Sequence, residues 1–196
     1  MRIRHLAARF LAAILMSLPA AAVAAHPHIW IDTTFDFRFD GDGLTGVRVS
    51  WLFDEFNSAE MLFSLDENLD GEISEAEQEQ IRQNAFEHLL ATDYFLVIFA
   101  GSQQLDVAEA RDFRADVIDG RLLYEFTVPL RVAWRRMENL VVGSFDTSYF
   151  IDFMSVPARE RHAGAAGTVL MRNETLRLAS EGYGTIPVPA VRVDLN

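Results

Sequence analysis

His28-Ile29-Trp30-Ile31-Asp32-Thr33-Thr34-Phe35-Asp36-Phe37-Arg38-Phe39 alternates along its length. Ile29, Ile31, Thr33, Phe35, Phe37 and Phe39 fall on one face, and Asp32, Thr34, Asp36 and Arg38 on the other. A period of two predicts a strand with one face against a core. Asp40-Gly41-Asp42-Gly43 is turn chemistry, and Val47, Val49, Trp51 and Phe53 continue the apolar face on a second strand. Outward from there, residues 94–100 form an apolar run closed by Gly101. Residues 107–117 and 121–130 flank Asp119-Gly120, a strong hairpin signal. Residues 140–145, 149–153, 168–178 and 188–194 are further strand candidates, and 164–167 reads as a flexible loop. Seven to nine short strands with turns between them predict a mainly β fold, a two-layer antiparallel β-sandwich.

Residues 54–92 break that pattern. They are rich in Glu, Gln, Ala, Leu and Met, contain no Pro, and read as helix, loop, helix. Roughly 40 residues bury little surface alone, so they are expected to be an insertion in one domain spanning 26–196.

Composition narrows the function. The 196 residues are 50% hydrophobic and 11% aromatic, too apolar for a disordered chain. The formal charge of −12 and the lack of a basic patch argue against a nucleic-acid partner. Cysteine is absent, so any metal must be held by oxygen or imidazole ligands. No Gly-x-Ser-x-Gly, phosphate-cradling Gly-rich loop or His-Glu-x-x-His occurs, and the chain is not expected to be an enzyme.

Residues 1–25 read as a secretory signal peptide: Arg2, Arg4 and Arg9, an apolar run over 10–18, then Pro19 and small residues to Ala25. Nine strongly apolar residues are too few to span a bilayer, which takes about 20. Cleavage after Ala25 would make His26 the N-terminus and take the charge from −12 to −15. The expected product is a periplasmic protein without membrane insertion; its oligomeric state is left open.

The sharpest chemical signal is residues 66–77, Asp66-Glu67-Asn68-Leu69-Asp70-Gly71-Glu72-Ile73-Ser74-Glu75-Ala76-Glu77. The spacing resembles the EF-hand calcium loop. Calcium takes six to eight oxygens at about 2.3–2.6 Å. Asp66, Asn68 and Asp70 would supply side-chain oxygens, Glu72 its carbonyl, Ser74 a direct or water-mediated contact, and Glu77 both carboxylate oxygens. Gly71 permits the sharp turn and Ile73 tethers the loop. Ser74 and Glu77 also form a capping box for the exiting helix. A lone loop predicts weak binding, with Kd near 10⁻⁴ M as in extracellular modules. Leu65, Leu62 and Met61 precede it at helical spacing, and Phe56, Met61 and Phe63 are candidate contacts for a partner.

The second signal is His26-Pro27-His28. In extended chain, residues two apart point the same way, so both imidazoles can grip one Zn²⁺, Ni²⁺, Co²⁺ or Cu²⁺ ion. Pro27 lacks the N–H that the usual N-terminal copper chelate uses. The remaining ligands stay open among Asp32, His88, His162 and Asp146.

His26-Pro27-His28-Ile29-Trp30-Ile31-Asp32, Trp51-Leu52-Phe53-Asp54-Glu55, the acidic 66–77 loop and Phe145-Asp146-Thr147-Ser148-Tyr149-Phe150 together resemble the exported bacterial family known as domain of unknown function 1007. Thr147 and Phe150 depart from that family's usual Asp-Pro-x-Tyr-Tyr. The resemblance implies metal handling beside nickel/cobalt exporters or zinc-linked uptake systems, with a membrane metal transporter as partner. Three functions follow as expectations: an accessory protein for transition-metal transport carrying a calcium loop; a calcium-stabilised structural or protein-binding module in which the histidines are incidental; and, third, a copper enzyme using His26.

Overall fold

The computed structural model describes residues 28–137, 139–155, 161–163 and 167–195. The expected signal at 1–25, His26, and residues 164–166 of the expected loop lie outside them. Among the described residues eleven strands build two sheets. They are β1 (Ile29–Phe39), β2 (Gly43–Phe53), β3 (Leu96–Ala100), β4 (Gln103–Gln104), β5 (Arg111–Ile118), β6 (Arg121–Ala133), β7 (Leu140–Ser144), β8 (Ile151–Ser155), β9 (Arg161–Ala163), β10 (Gly167–Ser180) and β11 (Gly184–Leu195). One sheet has the order β5-β6-β2-β1-β8, the other β4-β3-β7-β11-β10-β9. The fold is mainly β, as the alternation predicts. The described residues form eleven strands where the sequence predicts seven to nine, and the sheets are not wholly antiparallel: β1 and β8 run parallel, with Ile29 opposite Ile151 and Trp30 opposite Asp152. The chain crosses to the other sheet through β3 and β7 before returning, and that crossover reverses the direction a hairpin would impose.

The period-two faces converge on one core. Trp51, at 2% exposure, meets Phe126 edge-on at 4.8 Å, Phe153 at 5.5 Å and Phe95 at 6.3 Å. Such aromatic pairs contribute about 0.5–1.5 kcal/mol each beyond burial. Ile98, Val142, Val191 and Val193 of the second sheet belong to the same buried cluster as Val47, Val49 and Phe126 of the first. On the outer face, Arg48 of β2 pairs with Glu125 of β6 at 2.6 Å, and Ser50 donates to the same carboxylate at 3.1 Å. Gly43 sits where β2 meets β6; a Cβ there would lie 2.1 Å from the Val132 carbonyl oxygen.

Between β2 and β3 lie α1 (Glu55–Leu65) and α2 (Glu75–Ile81). The chain then makes a π-helical turn over Arg82–Phe86 and a 3₁₀ segment over Glu87–Phe95. Asp54 caps α1 by accepting the Asn57 N–H at 3.0 Å. The buried face of α1 starts polar: Ser58 donates to the Phe53 carbonyl at 3.3 Å and accepts the Leu122 N–H at 3.0 Å. Met61, Leu62 and Leu65 then pack against the core. Met61 therefore does not join Phe56 and Phe63 on the outer face, where the sequence reading grouped them. α2 covers the β5 edge, with Gln78 accepting the Ala115 N–H at 3.2 Å. Phe86 stacks on Phe113 at 4.1 Å and on Tyr94 at 5.2 Å. Asp93, Tyr94 and Phe95 all take left-handed φ near +50°, so the apolar run begins in a turn and the strand starts only at Leu96.

Candidate functional site

The loop between α1 and α2 is built by side chains accepting the loop's own N–H groups. Asp66 and Glu77, its first and twelfth residues, are both buried at 5% exposure. Asp66 accepts the Gly71 N–H at 2.8 Å and the Asp70 N–H at 3.2 Å. Asn68 accepts the Asp70 N–H at 2.9 Å, and Asp70 accepts the Glu72 N–H at 2.9 Å. Gly71 holds φ +85°, and Leu69, without glycine's freedom, holds φ +59°. Glu77 closes the ring: it accepts the Glu67 N–H at 2.7 Å, the Ser74 N–H at 2.8 Å and the Ser74 hydroxyl at 2.7 Å. The Ser74 hydroxyl and N–H outweigh burial and hold the Glu77 carboxyl below its ordinary 4.5. Ser74 caps α2 in the capping box the sequence predicts.

The donor set fits a hard cation by type and order: carboxylate, amide and carbonyl oxygens, with two buried carboxylates that have only hydrogen-bond donors as partners. Convergence is a separate matter. Among the described residues no three His, Asp or Glu side chains form a group able to hold a metal. In this conformation Asp66, Asp70 and Glu77 are engaged by N–H and O–H groups.

The second cluster gathers at one end of the first sheet. The His28 N–H donates to the Phe150 carbonyl at 2.9 Å, and its ring lies 4.9 Å from the Phe150 ring. Asn57 donates to the His28 carbonyl at 3.0 Å and to Asp54 at 2.8 Å. Asp54 also accepts the Trp30 N–H at 3.1 Å, while its own N–H donates to the Trp30 carbonyl at 2.9 Å. Burial opposes ionisation of Asp54, but the bonds from Asn57, Trp30 and Phe56 outweigh it and lower its pKa. Asp146 accepts the N–H groups of Ser148, Phe150 and Ile151 at 2.9–3.0 Å and the Ser148 hydroxyl at 2.8 Å. Asp32 pairs with Arg121 at 2.9 Å. Two of the expected partners of the histidines are therefore engaged elsewhere. His88 is exposed on the 3₁₀ segment, and His162 falls on β9, where only the backbone is described.

A family model described as "Protein of unknown function (DUF1007)" matches residues 11–170. The chain belongs to the DUF1007 family. A relative from Spirochaeta aurantia, "Uncharacterized 15.5 kDa protein in trpE 3'region", is 28% identical over 94 residues, covering 48% of this chain and 67% of the relative. No solved structure matches.

In this DUF1007 protein three of the four motif stretches meet in space, around His28, Asp54 and Asp146. His28 immediately precedes β1, in which Trp30 is the second residue; Asp54 follows β2, and Asp146 shapes the turn into β8. Sequence reasoning did not single out Asp152. In the parallel register it lies opposite Trp30, on the strand face that His28 and Trp30 share. Burial pushes its carboxyl above the ordinary 3.8, and Tyr149 is raised by burial and by the nearby Asp152 charge. Asp152 lines a small cleft with Tyr149, Ile186 and Pro187. The tip of the β10–β11 hairpin roofs the motif turn, since the Glu181 N–H donates to the Thr147 carbonyl at 2.7 Å. Only the unforeseen parallel pairing brings Asp152 there.

Proposed function

We infer that this chain is an exported, periplasmic accessory protein of transition-metal transport. In this reading it is processed after Ala25 and built as a β-sandwich carrying an EF-hand-like calcium loop. Asp66, Asn68, Asp70, Glu72, Ser74 and Glu77 would hold Ca²⁺, which fixes the geometry between α1 and α2. The observation that carries the calcium reading is the excess of carboxylates in the 66–77 loop: Asp66 and Glu77 buried at its two ends, with Glu67, Asp70, Glu72 and Glu75 exposed around them. His26 and His28 would bind Zn²⁺, Ni²⁺, Co²⁺ or Cu²⁺ for a membrane transporter, with Asp152 as an oxygen ligand on the same face. The neutral imidazole and the carboxylate suit those ions.

A second reading, a calcium-stabilised module without transition-metal function, draws support from the engagement of Asp32 and Asp146 by protein donors. Mass spectrometry of the exported protein reads the N-terminus, with His26 expected. Calorimetric titration separates the readings. Ca²⁺ binding is expected in wild type and lost in Glu77→Gln. Transition-metal binding is expected to survive Glu77→Gln and to vanish in His26→Ala/His28→Ala. Transition-metal binding that is unchanged in the double variant would overturn the transport reading as stated, and its absence in wild type would leave the second.

A further inference from the structure

α1 turns its two phenylalanines away from the core on which Met61, Leu62 and Leu65 pack. Asn57 and Ser58 are buried, whereas Phe56 and Phe63 are 77% and 81% exposed. At about 100° per residue the two phenylalanines lie within roughly 20° of each other, two turns apart. Their pole is opposite the one formed by Asn57, Ser58, Met61, Leu62 and Leu65. Ala59 and Glu60 separate them and are exposed as well. Two nearly bare Phe rings on one face mark a contact site. The charge along the chain on either side of them has one sign. Between Arg48 and Arg82 the sequence carries ten Asp or Glu and no Lys, Arg or His.

We propose that this face of α1 is a docking surface for a cationic amphipathic segment of a partner protein, its apolar side on Phe56 and Phe63 and its Lys or Arg side chains on Glu60 and the neighbouring carboxylates. Charge selects this occupant. A second copy would bring the same carboxylates against themselves, and the two rings offer only about 300 Å², well short of the roughly 800 Å² per partner of a stable interface. An anionic bilayer would repel the same face. The proposal is independent of ion binding, because the residues are exposed as they stand.

The test uses the exported protein and a synthetic helix with Leu on one face and Arg on the other. Saturable binding that weakens with salt is expected. Phe56→Ser/Phe63→Ser and, separately, Glu60→Lys should each weaken it about tenfold, a change typical of central contacts. Both variants should keep the wild-type melting temperature; if the double variant fails to fold, Glu60→Lys alone decides. Absence of peptide binding, or equal binding by the variants, overturns the proposal. So does preferential binding to phosphatidylglycerol vesicles through the Phe pair, which would make it a lipid contact. A concentration-dependent dimer abolished in the double variant would likewise overturn it in favour of self-association.

Discussion

Two acidic turns in this chain solve the same local problem with opposite surpluses. The turn around Asp146 holds one carboxylate, 7% exposed, and surrounds it with three backbone N–H groups and a serine hydroxyl. The 66–77 loop buries two carboxylates and carries Glu67, Asp70, Glu72 and Glu75 exposed around them. In the first, negative charge and donors balance. In the second, donors satisfy the buried oxygens, but several further charges crowd the same dozen residues. A balanced turn needs nothing from solution, whereas a crowded one would gain stability from a divalent cation under the proposed reading, since like charges in close array repel. Buried carboxylates alone therefore do not mark a metal site; it is the excess around them on which the proposed calcium reading rests.

The largest expected effect falls on the balanced turn. Asp146→Ala strips acceptors from four donors at the point where Phe150 holds His28 and Ile29. Bonds to a charged acceptor contribute about 1.5–3 kcal/mol each, but Ser148 and Phe150 are exposed and water replaces part of what is lost, so a loss of about 2–3 kcal/mol is expected. Denaturant unfolding with Ca²⁺ or with EDTA should report the same loss. A loss that Ca²⁺ repairs would erase the distinction between the turns.

The crowded loop should respond to the ion itself. With Kd near 10⁻⁴ M and 1 mM Ca²⁺, linkage gives a stabilisation of about 1.4 kcal/mol. That corresponds to roughly 3–5 °C in Tm for a chain of this size. Glu77→Gln should abolish the response while Asp146→Ala keeps it. An undiminished calcium shift in Glu77→Gln would show that the ion sits elsewhere.

Acid titration sharpens the contrast further. Glu77 and Asp54 have carboxyls lowered in the fold. Each contributes stability that is present above its unfolded value, 4.5 or 3.8, and is lost as the pH falls through its folded value. Asp152 is raised by burial, so its sign is opposite: stability declines as pH rises from about 3.8 through the folded value. Asp152→Asn should therefore be slightly more stable than wild type at pH 7 and equal to it well below pH 3.8, in paired denaturation curves. In the same variant, weakened transition-metal binding at neutral pH would support Asp152 as a ligand.

Much of this was legible in the sequence because it is local. The alternation over 28–39, the Asp119-Gly120 hairpin and the Ser74/Glu77 capping box are encoded within a few residues, and each appears in the structure. The β1–β8 pairing was not legible, since residues more than a hundred positions apart decide it, and with it Asp152 escaped notice. The left-handed turn at Asp93, Tyr94 and Phe95 was hidden for another reason. No glycine marks it, and the conformation is imposed by packing of the Tyr94 ring between Phe86 and Phe126. The loop's oxygen donors were readable, but whether they converge was not, because their orientation is set by the N–H groups they accept in the fold.

The smallest stability effect carries the most functional weight. Phe56→Ser/Phe63→Ser removes two large apolar side chains, yet both are largely in water in the folded state. Their transfer term is absent, and a change within about 0.5 kcal/mol is expected, as for other surface substitutions. Met61→Ala, one turn away on the inner side, should cost about 2 kcal/mol because its side chain packs against the core. If urea midpoints place the two variants together, Phe56 and Phe63 contribute to folding after all and their exposure serves no partner. If they separate as stated, α1 holds two rings in water with no return in stability, as the docking proposal requires, and peptide titration on the same variants then decides it.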